Sequence, residues 1–315
     1  MKRILTSLAV LALAASITNA QQVWINEVLT NPNGSDSTLT PTTTGNEHFE
    51  LRGTPNMSLA GYSLLSIEGG GTTGRGDINQ FFDLGSFSLG ANGYLFARQN
   101  YSLYTATAPG ATVIQNAAGQ GWGLNGASTV GHNHDGSQVD LENGTTTMML
   151  INRGSGAAPT LTLDLDTNDD GWLDPLPAGW SIVDSVGIIE GSATGGATDW
   201  SYGAVTLRVQ GAAAGSSQYG NIVDIAGAPP TTSGAMWVGR KGESTGSTPD
   251  DWFGAILTGS ASDPLNITFS SVNDPVIQGL KLPDMVFGGA NIPEPGTLAL
   301  LGLGGLAIFL RRKAH

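Results

Sequence analysis

The 315 residues contain no cysteine, so the chain has no disulfide framework, no thiol nucleophile and no thiolate-bound zinc. Charge is scarce as well. Only 12% of residues are ionic, about half the usual share. Basic residues are the rarer sign. Five of the 13 lie in the extreme ends (Lys2, Arg3, Arg311, Arg312, Lys313), with one of the 26 acids, Glu294. Residues 21–292 therefore hold 8 basic and 25 acidic side chains, a net charge of −17. Such a surface repels nucleic acid and anionic lipid and attracts cations, which argues against a nucleic-acid partner. Sustained helical periodicity is missing between residues 21 and 290. So are a Gly-x-Ser-x-Gly elbow, a phosphate loop and a dinucleotide fingerprint. A Ser-His-Asp triad would have to use His48, His132 or His134, and no pattern marks any of them.

Glycine, by contrast, is abundant at 46 residues, with much Ser and Thr. That composition reads as short strands joined by turns and long uncharged loops. Apolar or alternating runs between Gly and Asn breaks predict strands at 23–29, 47–51, 59–67, 81–84, 94–97, 146–151, 181–189, 204–209 and 235–240. Residues 101–145 are sparse in periodicity. The expected body is all-β, and roughly 270 residues are enough to bury a sizeable core without disulfides.

The ends carry their own patterns. Lys2 and Arg3, the apolar run 4–15 and Thr18-Asn19-Ala20 have the layout of a secretory signal peptide cut after Ala20. At the other end, Pro293-Glu294-Pro295 precedes 14 uncharged residues, 297–310, closed by Arg311-Arg312-Lys313. As a single transmembrane helix that segment is marginal, since a bilayer core takes about 20 apolar residues. Its basic flank favours the cytoplasmic side and leaves the body outside.

This order of features resembles the PEP-CTERM sorting signal of Gram-negative bacteria. The resemblance implies export, transient anchoring in the inner membrane and processing by an exosortase-type enzyme near Pro293, Glu294 and Pro295, with Arg311 and Arg312 in the basic end. An ordinary C-terminal anchor is the alternative. A second resemblance, to the lamin-tail domain, rests on Trp24-Ile25-Asn26-Glu27-Val28, Phe49-Glu50-Leu51, Leu59-Ala60-Gly61-Tyr62-Ser63-Leu64 and Leu89-Gly90-Ala91-Asn92-Gly93-Tyr94-Leu95. Val183-Asp184-Ser185-Val186-Gly187 echoes its later part. It implies an immunoglobulin-like β-sandwich, here with long inserts at 101–145 and 190–234, and no catalytic residues. The expected division is a signal peptide at 1–20, a sandwich at 21–260, a spacer or terminal strand at 261–292 and a sorting segment at 293–315.

Four groupings could carry chemistry. From Asp166, the run Asp166-Thr167-Asn168-Asp169-Asp170-Gly171-Trp172-Leu173-Asp174 follows the first half of an EF-hand loop. Oxygen donors would come from Asp166, Asn168, Asp170, the Trp172 carbonyl and Asp174, with Asp164 or Asp184 completing the set. Pro177 stands where an EF-hand has glutamate, so the choice is between a structural Ca2+ loop and a solvated acidic loop. His132-Asn133-His134-Asp135 offers alternate histidines for a metal, or polar loop residues. Glu27 and Glu50 lie inside apolar strands and could form an acid–base pair for glycoside cleavage, sit on a solvated face, or accept hydrogen bonds from loop backbone. Trp122, Trp172, Trp180, Trp200 and Trp252 could stack on sugars, or else pack in the core or anchor loops.

The expectation is an exported binding or structural module, not an enzyme, with structural Ca2+; the PEP-CTERM resemblance implies a cell-envelope or extracellular-matrix role, with an exopolysaccharide as candidate ligand. The competing prediction is an extracellular hydrolase or carbohydrate-binding protein.

Overall fold

A computed structural model of the chain describes residues 22–32, 45–71, 74–117, 119–123, 125–136, 139–141, 144–189, 199–209, 216–218, 220–226, 236–259 and 263–291. The signal segment expected at 1–20 and the apolar segment expected at 297–310 lie outside them.

The described chain is all-β. Its strands are β1 (Val23–Leu29), β2 (His48–Gly53), β3 (Tyr62–Glu68), β4 (Ile78–Asp83), β5 (Tyr94–Arg98), β6 (Thr112–Gln115), β7 (His132–His134) and β8 (Thr146–Asn152). There follow β9 (Ser181–Ile189), β10 (Trp200–Ser201), β11 (Val205–Val209), β12 (Ser216–Ser217), β13 (Ile222–Ile225), β14 (Met236–Arg240), β15 (Trp252–Thr258) and β16 (Thr268–Val272). Helical structure among the described residues is confined to short 3-10 turns, and none is long and apolar enough to cross a membrane.

Two seven-stranded sheets form, in the orders β16-β15-β14-β1-β2-β5-β6 and β13-β11-β9-β8-β3-β4-β7, beside a two-stranded β10-β12 pair. They share one apolar core. Ile25, Phe49, Leu95 and Val238 of the first sheet meet Leu64, Phe82, Leu150, Val186 and Leu207 of the second. Two further clusters cover the outer faces. One holds Leu29, Phe96, Trp237, Phe269 and Phe287 over the first sheet, and the other holds Leu65, Met149, Leu165, Trp180 and Tyr202 over the second. Central strands are therefore covered on both faces, which is why Tyr62-Ser63-Leu64-Leu65-Ser66-Ile67 reads as a run rather than an alternation.

This is not the expected immunoglobulin-like sandwich. The ladders are mixed: β6 runs parallel to β5, β9 parallel to β11, and β11 parallel to β13. Antiparallel hairpin logic from the apolar runs could not anticipate parallel pairs between strands separated by long connections. The region 101–145, expected to be an insert, supplies β6 and β7 to opposite sheets. Residues 263–291, expected to be a terminal strand or a spacer, do carry a strand, β16, with three 3-10 turns and the buried Ile267, Phe269, Ile277, Leu282, Met285 and Phe287.

Candidate functional site

The densest buried polar group lies on the outer face of β1 and β2. Its cause is a bulge: the β1–β2 register shifts between Ile25 and Glu27. Ile25 and Val28 consequently both enter the shared core, while Glu27 lies opposite Glu50. Both carboxyl groups are fully buried. The Nδ1 atom of His48 lies 3.2 Å from the Asn46 carbonyl, and its Nε2 lies 3.1 Å from Glu27 Oε1. A carbonyl only accepts, so Nδ1 is the donor in the contact with Asn46. Glu50 accepts from Asn26 Nδ2 at 2.5 Å and from the backbone N–H of Gly288. Burial, reinforced by Glu27, pushes the Glu50 carboxyl well above its ordinary value of 4.5.

A strap formed by residues 285–291 closes this cluster. The Phe287 ring stacks on Phe96 with centroids 4.9 Å apart, and lies 5.2 Å from His48 and 5.1 Å from Tyr104. Ala108 donates to the Phe287 carbonyl at 2.7 Å, and Asn92 Nδ2 donates to that of Gly288 at 2.8 Å. Asn26 Nδ2 reaches the Gly289 carbonyl at 3.3 Å. Asn291 is tied to the body by its carbonyl, which accepts from Gly242 at 3.1 Å, and by Nδ2, which donates to Asn26 O at 3.3 Å. Gly288 has φ +73°, and a Cβ there would fall 2.6 Å from that of Ala111, so only glycine fits. The sequence offered Glu27 and Glu50 a solvated face or hydrogen bonds from loop backbone, and Glu50 has the second, accepting from the Gly288 N–H. The structure seals them from solvent, and an acid–base pair for glycoside cleavage needs substrate access that this position lacks.

The acidic loop 164–174 sits beyond the other sheet. Asp166 is fully buried and turns the loop from within. Its carboxylate accepts from the N–H groups of Asp170 at 3.2 Å and Gly171 at 2.9 Å, and from the Tyr202 hydroxyl at 2.8 Å. Burial, with Asp166 alongside, raises the Tyr202 phenol. Asp164 accepts from the Asp166 N–H, and Asp170 accepts from Asn168 Nδ2 at 2.9 Å and the Trp172 N–H. Asp174 is turned onto Thr167, whose N–H and hydroxyl lie 2.9 and 2.5 Å away, which holds its carboxyl below the usual range. Asp77, bridged to Asp164, is pushed upward by partial burial and then by Asp164, Asp135 and Asp169. Among the described residues no three His, Asp or Glu converge on a metal position. Asp184, expected to complete the loop, lies elsewhere, paired across the core with Arg240 at 2.6 Å.

His132 and His134 occupy edge strand β7, not a flexible loop, with both rings buried and centroids 6.2 Å apart. Burial lowers His132 to about 4, so it is neutral at pH 7, with Nδ1 2.9 Å from the Gly123 carbonyl. Of the five tryptophans considered for sugar stacking, out of seven in the chain, Trp122, Trp180 and Trp252 are buried, and Trp200 is half-buried under the Arg75 guanidinium. Only Trp172 stands out, 58% exposed at the tip of the acidic loop. A shallow open cleft lies between the β2–β3 connection at Ala60 and Gly61, the β4–β5 connection at Gly85 and Ser86, and the 128–131 turn, where Asp83 and Arg153 face each other at 3.8 Å.

Residues 291–313 match the PEP-CTERM protein-sorting motif. No curated protein and no solved structure matches the chain, and the lamin-tail resemblance of residues 23–98 finds no support in these comparisons. The motif begins at the last residue of the strap.

Proposed function

We propose that the chain is an exported cell-envelope or extracellular-matrix module, sorted through its C-terminus and released there by an exosortase-type enzyme. The observation that carries this reading is the sorting motif at 291–313, directly downstream of a packed β-body. On this reading the segment after Pro293, Glu294 and Pro295 is a transient inner-membrane anchor, with Arg311 and Arg312 at its cytoplasmic end. The body is a binding or structural module rather than an enzyme, because its paired acids serve the packing of β1 and β2. Exopolysaccharide is its candidate ligand, and the exposed Trp172 indole is the surface a sugar ring would stack on.

Sorting is tested by the intact mass and membrane partition of the chain in a host with an exosortase-type enzyme. The wild type is expected to be shortened near the Pro-Glu-Pro, and Glu294→Ala to stay full-length in the membrane. Equal processing of both chains would sink this reading.

Calcium at the acidic loop belongs to the same proposal. The −17 body attracts divalent cations, and a bound ion would draw Asp170 and Asp174 away from Asn168 and Thr167 onto the centre shared with Asp166. At about a hundred times its dissociation constant, calcium should add roughly 2.7 kcal/mol of stability. Thermal melts with calcium and with chelator should therefore differ by several degrees. Asp170→Ala with Asp174→Ala should abolish the difference while leaving buried Asp166 to hold the turn. Identical melts for the wild type would reduce the loop to a self-capped turn.

A further inference from the structure

Seven of the eight basic side chains between residues 21 and 292 are committed to partners. Arg52 pairs with Glu243 at 2.7 Å, Arg208 with Asp224 at 2.8 Å, Arg240 with Asp184 at 2.6 Å and Lys241 with Asp274 at 2.7 Å. Arg75 and Arg98 donate to the carbonyls of Gly71 and Tyr104, and Lys281 donates to Asn266 Oδ1 at 2.6 Å. Arg153 is the exception. Among the described residues its guanidinium makes no hydrogen bond, and its ionic neighbour, Asp83, is 3.8 Å away. Yet that side chain is only 24% exposed, and its Nε–H is sealed from water without an acceptor. A buried donor with no partner points to one that the chain itself does not supply.

The fold explains why Arg153 stands where it does. In the order β8-β3-β4-β7, each strand is antiparallel to its neighbour. The end of β8, the start of β3, the end of β4 and the start of β7 therefore share one rim of the second sheet. That rim encloses the open cleft, whose volume of about 530 Å³ lies within the roughly 300–1,000 Å³ of small-molecule sites. Arg153 and Asp83 supply its charges, Ser86 a hydroxyl, and Gly61, Gly85 and Gly131 walls without side chains. Gly131 is required there, because with φ +76° its Cβ would fall 2.3 Å from the Asp83 carbonyl oxygen. Backbone fixes both charged residues. The Arg153 N–H donates to the Gly61 carbonyl at 2.9 Å, and the Asp83 N–H to that of Gly131 at 2.9 Å. Asp83 Oδ1 accepts from the Gly85 N–H at 3.0 Å, which leaves Oδ2 facing Arg153. At 3.8 Å the two charges are too far apart for a hydrogen bond, so the pair is held open.

We propose that this cleft binds an acidic sugar residue within a polymer, with the sugar carboxylate on Arg153 and its hydroxyl groups on Asp83 and Ser86. A planar carboxylate matches the guanidinium fork and takes two parallel hydrogen bonds from it. The Asp83 carboxylate accepts from hydroxyls, and it repels a dianion such as phosphate more than a carboxylate. No large apolar side chain lines the cleft, which suits a ligand that is hydrophilic over its surface. Its openness leaves one side of that ligand in water, as for a residue within a chain. This site is separate from the Trp172 surface. The acidic loop is bridged to Asp77, just before β4, whereas Asp83 ends that strand about 20 Å away. The proposal takes its biological setting from the exopolysaccharide reading above, while the binding itself is a property of the cleft.

The full chain, held in a detergent without a sugar headgroup, would be titrated calorimetrically with a tetrasaccharide of glucuronate. The same tetrasaccharide, carboxyl-reduced to glucose, is the matched neutral probe. Glucuronate should bind at least ten-fold more tightly. Arg153→Gln should lose at least ten-fold in affinity for it. Ser86→Tyr, which fills the cleft from an exposed position, should do the same. Arg208→Gln removes an equal charge from β11 and should bind as the wild type does. Melting temperatures of Arg153→Gln and the wild type should coincide, since the arginine has no hydrogen bond to lose. Equal affinity for the acidic and neutral chains, or wild-type affinity in either cleft variant, would overturn the proposal. So would inorganic phosphate competing as strongly as glucuronate. Binding lost in Trp172→Ala but kept in Arg153→Gln would remove this cleft and spare the exopolysaccharide reading.

Discussion

Arg240→Met should destabilise the protein by about 3–5 kcal/mol, because it strands a buried carboxylate. Arg240 lies at the end of β14 with no exposed surface. Its NH2 group donates to both oxygens of Asp184, at 2.8 and 2.6 Å, and its Nε donates to the Ile25 carbonyl at 2.7 Å. NH1 donates to the Gly246 carbonyl, and the guanidinium lies 4.3 Å from the centre of the Trp252 ring. Only arginine supplies this planar fork together with a face for the indole. Asp184 is itself raised by burial despite Arg240, and its remaining donors are the N–H groups of Ile25 and Ser185. Methionine fills the space but leaves that charge inside the core. Adding Asp184→Asn should recover more than 1 kcal/mol, since a neutral amide still accepts from Ile25. Urea midpoints for the two single variants and the double variant measure this, with the slope checked for constancy. Strictly additive losses would mean that the pair does not act as a pair.

Trp122→Ala should cost about 3–5 kcal/mol, and Trp122→Phe roughly 1–3 kcal/mol. Trp122 is fully buried, stacked on Phe49 with centroids 5.7 Å apart and edge-on to Phe82 at 5.0 Å. Its indole N–H donates to Glu47 Oε2 at 2.7 Å, the oxygen that also receives Gln99 Nε2 at 2.6 Å and the Leu141 N–H at 2.7 Å. The alanine variant loses ring volume and one donor to a buried carboxylate. The phenylalanine variant loses mainly the donor. Thermal melts followed by near-UV circular dichroism would show both losses. Melts within a degree of the wild type would mean that the 119–141 segment is not held through this residue.

Trp122 also shows where the sequence stopped being informative. Its neighbourhood has no period, so core and loop-anchoring roles both stayed open for it, and the carboxylate that receives its indole N–H, Glu47, is 75 positions away. Strands flanked by turn residues were legible: 23–29 and 181–189 are the spans of β1 and β9, and β2, β5, β8, β11 and β14 lie within two residues of expectation. Edge strands such as β6 and β7 were not, because three or four residues carry no measurable alternation. β15 was also missed, since Trp252-Phe253-Gly254-Ala255-Ile256-Leu257 is apolar on both faces and follows a 3-10 turn. Parallel pairing left no trace in local pattern. The bulge that buries Glu27 was visible only as an oddity, two acids inside apolar runs, with nothing to say that residues 285–291 would lie over them.

The placement of β1 has a consequence for how the molecule is made. It lies between β2 and β14, inside the first sheet rather than at its rim. Val28 pairs with Val238, and Asn26 with the backbone of Gly289, 263 positions downstream. As the chain emerges N-terminus first, β1 and β2 can form a hairpin early, but one flank of β1 stays open until nearly the whole body has followed. Contacts of such long range make folding slow, and they leave an apolar strand edge available to other chains in the interval.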